Sequence, residues 1–263
     1  MSTQLDIKQM AQSLAEAEKN GVQIAPLTST YPAMTVEDAY AVQLENVRAR
    51  VQAGRRVVGM KVGLTSKAVQ KMLGVNEPDY GHLFDDMLIG EGQPCPMKGL
   101  IQPKVEGELA FCLGKTLTGP GLSAADVYAA TAYVIPSIEI VDSRIQDWKI
   151  TLRDTVADNG SAARFVLGGR PMPVNKVDMR LTGMTMEKNG ILLNSGTTAE
   201  VWGNPAASVA WLANKLGTFG IELAEGSIVM AGAVTAMCTV LAGDSITVSF
   251  HGMGSVTVAF TQG

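Results

Sequence analysis

Apolar positions in the first fifty residues recur at helical spacing. Leu5, Ile7, Met10, Ala11 and Leu14 share one side of a helix over 4–19, which Asn20-Gly21 stops. Residues 26–32, bounded by prolines, read as a linker. Thr35-Val36-Glu37-Asp38 has the form of a capping box with Asp38 in place of the usual Glu. It opens a second helix that carries Ala39, Val42, Leu44 and Val47 and ends at Gly54. Beyond that glycine the pattern turns to strands. Spacing predicts strands over 56–64, 105–113 and 134–141, and short helices over 66–73 and 123–131, the second capped by Ser123. It also predicts an irregular stretch over 81–96 and a loop followed by a strand over 154–169. Asn189-Gly190 between Met184-Thr185-Met186-Glu187-Lys188 and Ile191-Leu192-Leu193 is the strongest hairpin signal in the chain. Asn204-Pro205 starts a helix that runs to Leu216, with Gly217 beyond it. Strands over 227–231, 245–250 and 255–260 follow, the last two separated by a turn at Gly252 and Gly254. The expected architecture is α+β: a helical N-terminal lead-in over 1–55 and a β-rich domain over 56–263.

Composition narrows the function classes. A net charge of −4, with lysines and arginines scattered, offers no basic stripe for nucleic acid and no polybasic membrane anchor. No apolar run reaches the length of a membrane span. Cys95, Cys112 and Cys238 form neither a disulfide framework nor a zinc pattern, and Met1-Ser2-Thr3-Gln4-Leu5-Asp6 lacks the form of a secretory leader; both features fit a cytoplasmic protein. With His82 and His251 the only histidines, a bound metal rests on oxygen ligands.

The chemistry concentrates on two strands. In Val105-Glu106-Gly107-Glu108-Leu109-Ala110-Phe111, alternation sends Glu106 and Glu108 to one face and Val105, Leu109 and Phe111 to the other. Glu139 sits in the apolar run Ile135-Pro136-Ser137-Ile138-Glu139-Ile140-Val141, where a lone buried carboxylate is costly unless paired or metal-bound. Three carboxylates converging from two strands suit a hard dication such as Mg²⁺ or Mn²⁺. A solvated face for Glu106 and Glu108, with Glu139 paired to Arg144, accounts for the same pattern equally well.

Other groups each admit a plain reading. Lys61, in Val57-Val58-Gly59-Met60-Lys61-Val62-Gly63-Leu64, is either an edge lysine reaching water or a buried group for a substrate carboxylate or proton transfer. Asp79, in Glu77-Pro78-Asp79-Tyr80-Gly81, reads as a turn cap or as a loop carboxylate near a metal, and His82 reads as a surface residue. Arg164, beyond Asp154-Thr155-Val156-Ala157-Asp158-Asn159-Gly160-Ser161, either grips a carboxylate or pairs with Asp158. Gly232 to Thr235 is a strand-end turn whose N–H groups and hydroxyl also suit an anion.

Taken in order, Lys61-Val62-Gly63-Leu64-Thr65-Ser66, Glu77-Pro78-Asp79-Tyr80-Gly81, Pro103-Lys104-Val105-Glu106-Gly107-Glu108, Ile135-Pro136-Ser137-Ile138-Glu139 and Asp154-Thr155-Val156-Ala157-Asp158-Asn159 resemble the hydratase/decarboxylase family of meta-cleavage pathways for aromatic compounds. This family lies within the fumarylacetoacetate-hydrolase-like superfamily, and the resemblance covers nearly the whole chain. It implies a fumarylacetoacetase C-terminal-like β fold, and a Mg²⁺ or Mn²⁺ ion held by Glu106, Glu108 and Glu139. It further implies a catalytic Lys61, a pocket residue at Asp79, and substrate contacts from Leu64, Asp158, Arg164 and Thr235. The implied substrate is a small 2-keto or 2-enol carboxylic acid, handled by a homo-oligomer that associates with its sister decarboxylase or hydratase.

Within the family the signals divide. Glu77-Pro78-Asp79-Tyr80-Gly81, Ser66-Lys67-Ala68-Val69-Gln70 and Arg144-Ile145-Gln146-Asp147-Trp148 are hydratase-like. Ser161-Ala162-Ala163-Arg164-Phe165 and Val234-Thr235-Ala236 resemble the decarboxylases, and Gly160 stands where the family more often has Ala. The balance favours a hydratase that turns 2-hydroxypenta-2,4-dienoate (2-keto-4-pentenoate) into 4-hydroxy-2-oxopentanoate. The alternatives are a 4-oxalocrotonate decarboxylase, with Arg164 gripping the second carboxylate, and a non-catalytic partner subunit of a hydratase–decarboxylase complex.

Overall fold

The computed structural model describes residues 6–67, 70–71 and 74–263. The short helix expected over 66–73 lies partly outside these residues, as does the start of the helix expected over 4–19.

The lead-in is helical as its periodicity requires. Helix Ile7–Asn20 buries Met10, Ala11, Leu14 and Ala17 and ends on Gly21 in the left-handed conformation. Helix Val36–Gln52 starts in the expected capping box: Thr35 Oγ1 accepts from Asp38 N at 3.1 Å, and Asp38 Oδ2 accepts from Thr35 N at 2.8 Å. The stretch expected to be only a linker contains a helical turn, Leu27–Thr30. Its anchor is Asp154, which accepts from Thr28 N and Oγ1 and from Thr151 N and Oγ1, and so ties the lead-in to helix Leu152–Ala157. The expected boundary at 55/56 is a change of secondary structure. The core runs across it, because Met10, Leu14, Ala39 and Val42 pack into the same buried cluster as Val62, Val105 and Ile138.

Two sheets form the body. The larger contains β1 (Val57–Gly63), β2 (Asp79–Phe84), β3 (Leu88–Ile89), β5 (Lys104–Leu113), β6 (Thr131–Val141), β7 (Ala162–Leu167) and β10 (Ile228–Ala233), in the order β2-β1-β10-β5-β6-β7-β3, with β11 (Cys238–Thr239) also paired to β5. The smaller contains β4 (Cys95–Pro96), β8 (Gly183–Lys188), β9 (Ile191–Thr197), β12 (Ser245–Phe250) and β13 (Gly254–Thr261), in the order β4-β13-β12-β8-β9. The predicted hairpin joins β8 to β9, with Asn189 and Gly190 at φ 56° and 76° as a type I′ turn requires. The sheets meet face to face where Gly107 lies. A Cβ there would stand 3.0 Å from both Met184 Cε and Val248 Cγ1, so the glycine between the two glutamates lets the smaller sheet come close.

Two expectations change here. The stretch over 81–96 is not irregular throughout: it holds most of β2, then β3 and β4. The loop expected after residue 154 begins as helix Leu152–Ala157, because Thr151 and Asp154 form a capping box.

His82 also departs from the surface reading: it is 6% exposed. Its Nδ1 lies 3.1 Å from Gln43 Oε1. Gln43 Nε2 donates to Tyr80 O and Val156 O, so Gln43 Oε1 is the acceptor and His82 Nδ1 carries the hydrogen. Burial lowers the His82 pKa from 6.5 to about 4, against the opposing pull of Asn159. Between those pH values the unfolded chain binds a proton that the native ring refuses. This contribution to stability is therefore complete above pH 6.5 and is lost as pH falls toward 4, an effect of about 3 kcal/mol. Urea denaturation at pH 7 and pH 4 is expected to show a smaller acid-induced loss in His82→Asn than in the wild type by about that amount. Equal losses in both proteins exclude this role.

Candidate active site

Strand alternation and register assemble the site on the face of the larger sheet turned away from β8 and β12. Glu106 pairs with Glu139 and Glu108 with Ser137 across β5 and β6, so all four side chains emerge together. One carboxylate oxygen from each of Glu106, Glu108 and Glu139 lies within 4.8 Å of the others. Glu108 and Glu139 are buried and Glu106 is half-buried. Neither the solvated face nor the Glu139–Arg144 pair describes this arrangement, because Arg144 is bonded to Asp158 instead.

Lys61 projects from β1 into the same face. It is 4% exposed, and its ammonium lies 3.5 Å from Glu139 Oε1. It is thus not an edge lysine reaching water. Burial pulls its pKa down, but Glu139, Asp79, Glu106 and Glu108 outweigh burial and hold it above the ordinary lysine value. Asp79 is the first residue of β2 rather than a turn cap, and it is 1% exposed. Its Oδ2 accepts from Thr155 Oγ1 at 3.2 Å. Among the described residues, Asp79 Oδ1, Glu108 Oε1 and both Glu139 carboxylate oxygens are buried without a hydrogen-bond partner. Buried oxygens of this kind are rare in native proteins and point to a group that completes them. Hard oxygens clustered at this spacing fit a divalent cation.

The other Glu108 oxygen is held by the backbone. Gly232 N donates to Glu108 Oε2 at 2.9 Å, so the strand-end N–H expected to suit an anion serves the chain's own carboxylate. Gly232 has φ 118°, and a Cβ there would strike Thr65 Oγ1 at 2.3 Å, so glycine is required twice over. Thr235, three residues on, has a buried hydroxyl oxygen with no partner among the described residues. Leu64 is half-buried at the end of β1 with φ 56°, and its carbonyl accepts from Gln70 Nε2 at 2.7 Å.

Two of the expected substrate contacts lie elsewhere. Asp158 has its carboxylate fully engaged: Oδ1 accepts from Arg144 Nε at 2.5 Å, and Oδ2 from Arg144 N, Ser143 Oγ and Ser161 Oγ. Arg164 neither pairs with Asp158 nor joins the glutamates. It is opposite Ile140 on β7 whereas Phe165 is opposite Glu139, so alternation turns Arg164 to the other face. There its charge acts on the thiol of Cys95, on β4 of the smaller sheet. Residue spacing did not single out Thr155 or Gln43. The signal for Gln43 was present, a carboxamide on a helix face that otherwise carries Ala39, Tyr40 and Val42.

Burial first, then Glu139, pushes the Glu106 pKa up to about 7. Burial and the neighbouring carboxylates also raise Glu108 well above its ordinary value, and burial raises Glu139. A carboxyl raised in this way adds stability at low pH that is lost as pH climbs from 4.5 through about 7. In chelator-treated protein, Glu106→Gln is therefore expected to melt at a higher temperature than the wild type at pH 8, the gap closing as pH falls to 5. A wild type at least as stable as the variant at pH 8 contradicts this electrostatic description.

Comparison with known proteins agrees with the fold. The profile of the family described as "Fumarylacetoacetate (FAA) hydrolase C-terminal" matches residues 44–261. A 2-hydroxyhexa-2,4-dienoate hydratase of Comamonas testosteroni is 46% identical over 264 residues, covering 100% of both chains. A 2-keto-4-pentenoate hydratase of Burkholderia vietnamiensis is 45% identical, again over 100% of each. Among solved structures, the 4-oxalocrotonate decarboxylase from Pseudomonas putida G7 complexed with magnesium and adipate superposes with a TM-score of 0.95 at 40% identity, covering 98% of this chain and 99% of that one. Strands that bring three glutamates to one face, a profile match over most of the chain and end-to-end relatives make this protein a member of the fumarylacetoacetate hydrolase C-terminal family.

Proposed function

We propose that the chain is a hydro-lyase that adds water to 2-hydroxypenta-2,4-dienoate (2-keto-4-pentenoate), giving 4-hydroxy-2-oxopentanoate in the meta-cleavage catabolism of aromatic compounds. The observation that carries this reading is the buried cluster of Glu106, Glu108 and Glu139 with unpartnered oxygens beside Lys61. A Mg²⁺ or Mn²⁺ ion held by these glutamates supplies Lewis-acid polarisation of the substrate's C2 oxygen and carboxylate when bound.

The chain's own groups orient the substrate and move protons. The Lys61 ammonium delivers a proton to C5 of the dienol and takes up the one that the C2 hydroxyl releases, leaving an α,β-unsaturated 2-keto acid. Asp79 Oδ1 accepts a proton from the water that adds at C4 and returns it to C3, which completes 4-hydroxy-2-oxopentanoate. Thr235 and Leu64 bound the substrate, and the burial of this face excludes bulk water. The same reading places the enzyme in the cytoplasm as a homo-oligomer, alone or beside its sister decarboxylase.

The second reading, a 4-oxalocrotonate decarboxylase, draws support from the structural relative of that name. A diacid needs a cation for its second carboxylate. Arg164, the residue suited to that role, faces the smaller sheet, which favours a monoacid substrate. A non-catalytic partner role sits poorly with a complete set of three glutamates, Lys61 and Asp79.

Exhaustive chelation is expected to abolish hydration of 2-hydroxypenta-2,4-dienoate, and Mg²⁺ or Mn²⁺ to restore it. Glu139→Gln is expected to weaken metal binding in calorimetry and to lower kcat on the order of a thousandfold. Full activity after metal removal refutes the metal's role. Release of CO₂ from 4-oxalocrotonate without hydration of the dienoate selects the decarboxylase instead.

A further inference from the structure

Three glycines line the path of the Lys61 side chain. At Gly63, two residues on in β1, a Cβ would lie 2.1 Å from Asp79 Oδ1 and 3.2 Å from Lys61 Nζ. Gly81 is opposite Lys61 in the β1–β2 pair, and a Cβ there would lie 2.2 Å from the carbonyl oxygen of Asn159. At Gly160 a Cβ would lie 2.6 Å from Lys61 Cε. The lysine stem thus runs through a slot, with two strands beneath it and residues 159–160 above it.

That upper wall belongs to no sheet. Asn159, Gly160 and Ser161 adopt φ values of 57°, 59° and 56°, three left-handed residues in succession. Two of them are not glycine, so the turn keeps this shape only because its surroundings hold it. Asn159 makes the hold. Its Oδ1 accepts from His82 N at 2.8 Å and its Nδ2 donates to His82 O at 3.0 Å. β2 is the edge strand of its sheet, so the carboxamide satisfies backbone groups that no strand on that side would meet.

We propose that Asn159 is a positioning residue for Lys61. By pairing with the free edge of β2 it locks the left-handed turn over the lysine stem, and so fixes the ammonium between Glu139 and Asp79. This rests on the reading above in one respect, that Lys61 carries a proton in this site.

The test uses the full chain with Asn159→Ala and with Asn159→Asp. The aspartate keeps the shape and tolerates a left-handed backbone, but it sets an oxygen against the His82 carbonyl. In metal-free protein, reductive methylation followed by peptide mass spectrometry is expected to modify Lys61 severalfold faster in either variant than in the wild type, with Lys104 unchanged. In the metal-loaded enzyme, kcat for dienoate hydration is expected to fall about 10- to 100-fold. KM and Mn²⁺ affinity by calorimetry stay as in the wild type, and Asn159→Ala adds no further loss in a Lys61→Ala background. Should Asn159→Ala not fold, Asn159→Asp carries both measurements. Lys61 methylation at the wild-type rate overturns the proposal, as does an equal loss of kcat in both backgrounds. A wild-type chain that does not hydrate the dienoate defeats the functional reading instead, and the methylation result then decides the positioning role alone.

Discussion

Like charge gathered in a low-dielectric wall is the constraint around which this protein is arranged. At separations of no more than 4.8 Å and an effective dielectric of about 20, each pair of ionised carboxylates among Glu106, Glu108 and Glu139 repels by about 3 kcal/mol or more. Three such pairs approach the whole stability of an ordinary domain. Lys61 offsets part of this, but Asp79 adds a fourth carboxylate to the same region. Only a dication, or partial protonation, leaves the face tolerable. Such an arrangement costs stability as packing, and this cost is what supports reading it as a functional centre.

The helical segment is part of that centre's support. Gln43 reaches from helix Val36–Gln52 to Tyr80, Val156 and the His82 ring, so one buried carboxamide joins the lead-in, β2 and helix Leu152–Ala157. Asp154 and the Arg144–Asp158 pair do the same for the loop that follows. None of these groups faces the glutamates. Instead they hold the segments next to Asp79 and Lys61: Gln43 bonds to Tyr80, the neighbour of Asp79, Asp154 adjoins Thr155, whose hydroxyl donates to Asp79, and Asp158 precedes the turn in which Gly160 meets Lys61.

What the sequence disclosed follows from what periodicity encodes. Alternation along 105–111 was enough to place Glu106 and Glu108 on one face, and the apolar run around Glu139 was enough to make its burial costly. The hairpin at Asn189-Gly190 and both lead-in helices were legible from local chemistry alone. Asp79, His82 and Arg164 were not, because their positions depend on long-range pairing. Pro78 and Gly81 give a turn's composition to a segment that β1 recruits as an edge strand. Arg164 is one residue from Phe165, which pairs with Glu139, yet the period of two in β7 turns it to the opposite side. A one-residue difference in strand register reverses such an assignment, and registers between distant strands are not written locally.

Gly107 has a consequence for how the centre responds to its surroundings. It sits between the two glutamates with Met184 and Val248 of the smaller sheet packed close behind it, so the strand that carries Glu106 and Glu108 rests directly on that layer. For a cation held as proposed by these glutamates, ion preference, which depends on tenths of an ångström between ligand oxygens, would be set in part by hydrocarbon packing on the far side of a single strand. Repacking that hydrocarbon offers a means to retune the centre without altering any group that faces it.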